Sequence, residues 1–235
     1  MGQMMGVLLA VLLSAGCAVS AFFFLRAYRE ENFVRAFWLK GAAALFFVAV
    51  GAVLLSCGEG SRFAWMTLGG LALGLCGDQL LALRLIYEKQ HDFFFTIGAS
   101  SFGIGHVLYV LALRTVGALK VWIILPVFFV GGILSLLYAG KKGTDVGKKT
   151  PLAIGYISIV LFMASVAVNT AVQSQSLAGL LFSVGGVLFC VSDNILCAYC
   201  YGKKPVWRMN RDIHITYYAA QLAIAWSIQI GRAHV

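Results

Sequence analysis

Apolar residues run almost unbroken along this chain, and polar ones collect in short gaps between the runs. A bilayer core about 30 Å thick takes on the order of 20 apolar residues per helix. The pattern predicts eight such spans, at 5–25, 36–56, 63–83, 95–113, 121–139, 151–170, 178–200 and 213–230. The expected fold is an all-α polytopic membrane protein, one membrane domain over 1–230. The first run lacks a basic leader and is too long for a signal-peptide core, so it is expected to remain as a span. The closing IGRAHV (230–235) ends the last helix abruptly and resembles translated adaptor sequence; it is expected to be a non-native tail.

Composition agrees with that pattern. At 61% hydrophobic and 11% charged, the chain is no soluble domain. Its basic excess is not a nucleic-acid footprint, because Lys and Arg sit in the gaps, where orienting charges belong. The connections after spans one, three, five and seven hold thirteen of them, against three in the others. The positive-inside rule then puts the odd connections in the cytoplasm and both termini outside. The expected location is a bacterial cytoplasmic (inner) membrane. Six cysteines lie in or beside apolar runs and are expected to pack as small hydrophobes. The lone C-x-x-C of Cys197 and Cys200 has no second pair, so neither a metal nor a cofactor is expected.

Two acidic residues break the pattern. Seven of nine (Glu30, Glu31, Glu59, Glu88, Asp92, Asp145, Asp212) fall in polar connections, but Asp78 and Asp193 lie inside membrane-length runs. A carboxylate at mid-membrane costs at least about 2.5–3.5 kcal/mol, so each marks a candidate site. The alternative is a structural hydrogen bond locking helices together.

Superposing the two aspartates, 115 residues apart, aligns Gly70 with Gly185, Gln79 with Asn194 and His106 with Gln221. Four spans separate the copies, so the halves form a parallel repeat of two four-helix units, with a site expected where they meet. Gly77 beside Asp78 leaves room for close approach, and Ser192 precedes Asp193. His106 shares a face with Phe102 and Tyr109, and serves either the site or an interhelical hydrogen bond. Tyr217, Tyr218 and Gln221 occupy the eighth span; one tyrosine is expected to be an interfacial anchor. Lys40 either snorkels to the surface or contacts a phosphate, and Tyr156 sits at a similar depth. With the termini outside, both aspartates fall in the cytoplasmic half, Lys40, Tyr156 and Tyr217 nearer that face, and His106 and Gln221 near the midplane. Such a pocket suits a single-chain lipid among membrane lipids.

These residues resemble the YhhN-type membrane proteins, whose animal members include lysoplasmalogenase. The matching pieces are Gly77-Asp78 with Leu80-Leu81, then Phe102 through His106 to Tyr109, Ser192-Asp193 with Ile195-Leu196, and Tyr217-Tyr218 with Ala220-Gln221. They occur in the family's order from the second span onward. One departure is Lys40-Gly41, where the family usually has Lys-Pro. The resemblance implies hydrolysis of the vinyl-ether bond of a lysoplasmalogen to a fatty aldehyde and glycerophospho-ethanolamine or -choline. Asp78 and Asp193 would supply acid and base in an unassigned order, with His106, Tyr109 and Gln221 orienting water and the glyceryl oxygen. A proton-coupled transporter also uses membrane carboxyls. So does an intramembrane aspartyl protease, whose Gly-x-Gly-Asp signature is broken here by Leu75.

Overall fold

A computed structural model of the chain describes residues 2–58 and 60–228, with nothing described of the Lys148 side chain. Glu59, the expected tail 230–235 and the end of the eighth expected span lie outside the described residues. Eight α-helices and no strand occur among them: α1 Gln3–Arg29, α2 Phe33–Ser56, α3 Arg62–Ile86, α4 His91–Arg114, α5 Val121–Lys142, α6 Thr150–Ser174, α7 Leu177–Tyr201 and α8 Trp207–Trp226. Short polar side chains open several of them. Asn32, Ser61 and Ser176 accept from the amides of Arg35, Ala64 and Gly179, each satisfying an orphan donor of the first turn. Gly143, in the left-handed region at φ 61°, closes α5.

Helices α1 to α7 are long and apolar enough to cross a membrane; α8 is not among them. It begins at Trp207, six residues before the expected span (213 − 207), and so takes in Arg208, Arg211 and Asp212. Its low hydropathy has a packing reason. Asn210, Tyr217, Tyr218 and Gln221 are buried inside the bundle, where α8 touches α1, α2, α3 and α7. A helix enclosed by other helices carries polar groups that lipid would reject.

Small residues set the tightest crossings. A Cβ on Gly70 of α3 would run into the Tyr109 ring of α4, and one on Gly185 of α7 would lie 2.9 Å from the Ala220 carbonyl of α8. Helix α5 is the exception to this close packing. Ile124 is its one buried residue, and it touches only α6 and α7. No Cα of α5 lies within 8 Å of one in α4, so these two helices are parted by more than ordinary helix packing allows.

Candidate active site

A cavity of about 710 Å³ occupies the bundle, and both aspartates line it. Its walls come from α4 (Phe95, Ala99, Phe102), from α5 (Phe128, Gly132, Leu136), and from α1, α2, α3, α6, α7 and α8. The size suits one small organic ligand or part of a lipid. Apolar side chains dominate the lining, with a few polar groups converging on it.

Asp78 is 2% exposed and fully engaged. Its Oδ1 lies 3.0 Å from the Lys40 ammonium, and its Oδ2 accepts a 2.8 Å hydrogen bond from the Tyr217 hydroxyl. Lys40 comes from α2, is 6% exposed, and has the Phe24 ring 5.9 Å from its Nζ. Lys40 therefore points inward, so snorkelling to the surface is corrected; the reason is the carboxylate that meets it. Beyond Tyr217 the bonds continue. The Gln221 amide donates to the Tyr217 oxygen at 3.0 Å, and Tyr109 donates to Gln221 Oε1 at 3.1 Å. The network thus runs through four helices, from α4 by way of α8 and α3 to α2.

Asp193 differs. Its Oδ2 accepts a 2.8 Å hydrogen bond from Tyr156 of α6, and among the described residues no cation lies within 4 Å of it. Each aspartate is thus held from the helix before its own. Lys40 and Tyr156 stand 116 residues apart (156 − 40), against 115 for the aspartates (193 − 78). One partner carries charge and the other does not.

Phe102, Phe189 and Tyr217 pack edge to face between these groups, with centroids 5.4–6.0 Å apart. All three line the cavity, forming an aromatic wall beside the carboxyls.

His106 sits behind that wall. His106 is 1% exposed, and its ring packs 4.5 Å from Phe189 and 6.1 Å from Tyr109 and Tyr156. Neither ring nitrogen has a hydrogen-bond partner among the described residues, so His106 makes no interhelical bond there. His106, Tyr109, Tyr218 and Gln221 are absent from the cavity lining, while Lys40, Asp78, Tyr156, Ser192, Asp193 and Tyr217 belong to it. Gly77 is a packing glycine, since a Cβ there would meet the Phe102 ring at 2.7 Å. Ser192 donates to the Ile213 carbonyl at 3.1 Å and ties α7 to α8. The Tyr218 hydroxyl is buried and has no hydrogen-bond partner among the described residues, which fits no interfacial anchor.

Other lining groups escaped the sequence reading: Arg84, Thr144, Asn210 and His214. His214 Nδ1 lies 2.8 Å from the Asn210 carbonyl, and its ring packs against Phe24. A basic residue at the end of a span has a ready topological explanation, which hid Arg84.

The model of the YhhN family matches residues 38–228, most of the chain. No curated protein and no solved structure matches.

Proposed function

We propose that this chain, which belongs to the YhhN family, is an intramembrane hydrolase of lysoplasmalogen-type lipids, cleaving the vinyl-ether bond to a fatty aldehyde and a glycerophospho-alcohol. The observation that carries this reading is the unequal pair of buried carboxyls on one cavity. Asp78 has an ammonium at 3.0 Å, and Asp193 has only a phenol.

Vinyl ethers hydrolyse by protonation at the carbon remote from oxygen. A carboxyl without a counter-cation in a low-dielectric site is held neutral, because an isolated buried charge is costly. Asp193 therefore holds the proton and is the acid. Giving it up forms the new C–H bond and an oxocarbenium ion, and leaves an Asp193 carboxylate beside the cation just created. Asp78 stays ionised against Lys40 and takes a proton from water as its oxygen bonds to the oxocarbenium carbon. The hemiacetal then collapses: its hydroxyl proton passes to the Asp193 carboxylate, the C–O bond to glycerol breaks, and Asp78 gives the proton it took from water to the glyceryl oxygen, returning both carboxyls to their starting states. Two carboxyls divided into acid and base recur in glycoside hydrolysis, which offers an analogy only. The aromatic wall excludes bulk water that would screen these charges.

Aldehyde release from lysoplasmenyl-ethanolamine by detergent-purified protein, with Asp78→Asn and Asp193→Asn alongside, tests the reading. Aldehyde from the wild type and none from either variant supports it. A folded wild type that releases none, with either ethanolamine or choline headgroups, removes it in favour of transport, in which substrate emerges unaltered.

A further inference from the structure

The cavity extends past the two aspartates toward the bundle end formed by the close of α3, the α5–α6 connection and the start of α8. Among the described residues, three buried polar atoms of its lining have no hydrogen-bond partner: Arg84 Nε, Thr144 Oγ1 and Asn210 Oδ1. A buried polar group left unpaired is costly, and a protein retains several together where a ligand or water completes them. Arg84 is the informative one. Among the described residues no carboxylate lies within 4 Å of it, and its one side-chain partner is the Cys200 sulfur at 3.9 Å.

Lys149 provides the contrast. Both cations stand over one Phe95 ring, Arg84 at 5.3 Å and Lys149 at 5.8 Å. Lys149, however, is already paired with Asp92 at 2.7 Å, and that hydrogen bond raises the pKa of its ammonium. Among the described residues the Arg84 fork has only its weak bond to sulfur. A planar guanidinium over an aromatic ring is suited to bidentate contact with phosphate oxygens.

Spacing agrees. Along α3 the rise from Asp78 to Arg84 is about 9 Å at 1.5 Å per residue, a separation that a glycerol unit and the two side chains span. The lining between them is largely apolar, with Leu81 and Ala82 on the same helix.

We propose that Arg84, which shares the cavity lining with Thr144 and Asn210, is the phosphate-recognition subsite of this cavity and selects single-chain lipids that carry a phosphodiester. The inference rests on the cavity being a lysolipid site, but not on hydrolysis. The bland account of Arg84 is a cation at a helix C-terminus, favoured by the dipole and by topology. It predicts no preference among ligands.

Equilibrium binding of two tritiated ethers that resist hydrolysis, 1-O-hexadecyl-lysophosphatidylethanolamine and 1-O-hexadecylglycerol, separates the accounts. In wild-type protein the phosphate-bearing lipid is expected to bind more tightly, by about tenfold or more. Arg84→Gln is expected to abolish that difference while leaving hexadecylglycerol binding unchanged. Arg84→Lys keeps the charge needed for insertion but loses the fork, and carries the test if Arg84→Gln does not accumulate; it is expected to retain only part of the preference. Equal loss of both ligands in Arg84→Lys, or an undiminished preference in either variant, overturns the proposal. Displacement of the lipid by millimolar inorganic phosphate alone overturns the lipid assignment in favour of a free-phosphate site. Binding that depends on Arg84 without aldehyde release from an alkenyl lysolipid would keep this subsite and remove the hydrolase. Aldehyde release indifferent to Arg84 would do the reverse.

Discussion

Lys40 places its ammonium 3.0 Å from Asp78 where both side chains are under a tenth exposed. Removing one member of such a pair leaves an uncompensated buried charge, at a cost of about 3–5 kcal/mol. Lys40→Met is therefore expected to lower the melting temperature in detergent sharply. Adding Asp78→Asn to it should restore most of the loss, because no charge is then left unpaired. Independent, additive effects of the two substitutions would break the assigned pairing.

The unequal environments of the aspartates predict unequal behaviour. Asp193→Asn keeps an oxygen to accept from Tyr156 and should fold with near wild-type stability, yet lose aldehyde release by at least about 10²-fold. Tyr156→Phe removes the phenol that fixes the carboxyl and should lower kcat by about tenfold, with a small change in KM. Measured rates and melting curves of both variants check this.

The chain of bonds from Tyr109 through Gln221 to Tyr217 predicts a structural cost at a distance. Gln221→Leu leaves the Tyr109 hydroxyl without its acceptor, while Tyr217 loses an incoming bond but keeps its own to Asp78, and an unsatisfied buried hydroxyl costs about 1–3 kcal/mol. Thermal unfolding of Gln221→Leu should show a clear loss, and Gln221→Glu a smaller one. Equal stability of Gln221→Leu and wild type would sink the network as a structural element.

Two glycines should respond in opposite ways to added volume. Gly70→Ala forces a Cβ into the Tyr109 ring and is expected to destabilise by about 1–3 kcal/mol. Gly132 of α5 has nothing within 4 Å of its Cβ position and lines the cavity. Gly132→Leu should leave melting unchanged but raise KM for the proposed lipid substrate by filling cavity space, which steady-state kinetics would report.

How far the chain could be read in advance follows from the strength of each signal. Seven spans were legible because a run long enough to cross a bilayer has few other uses. The start of α8 was not, since Arg208, Arg211 and Asp212 resemble a connection until the surrounding helices are known. Asp78 and Asp193 stood out because lipid penalises them. Depth places Lys40 and Tyr156 at the pocket, but not as the partners of the two aspartates, because only packing reveals which way a long side chain turns. His106 lies off the cavity lining. Its polarity and its alignment with Gln221 suggested the site, yet it is enclosed by the rings of Phe189, Tyr109 and Tyr156.

The proposed lipid site, set among membrane-spanning helices, changes what concentration means for this protein. On that reading a largely apolar cavity is filled from neighbouring lipids, without passage through water. Occupancy then follows the mole fraction of ligand in the surrounding leaflet. Diluting a membrane with inert lipid should slow turnover at constant bulk concentration, and adding more membrane of the same composition should not speed each molecule. Affinities quoted per litre would describe the assay vessel, whereas affinities per lipid molecule would describe the protein.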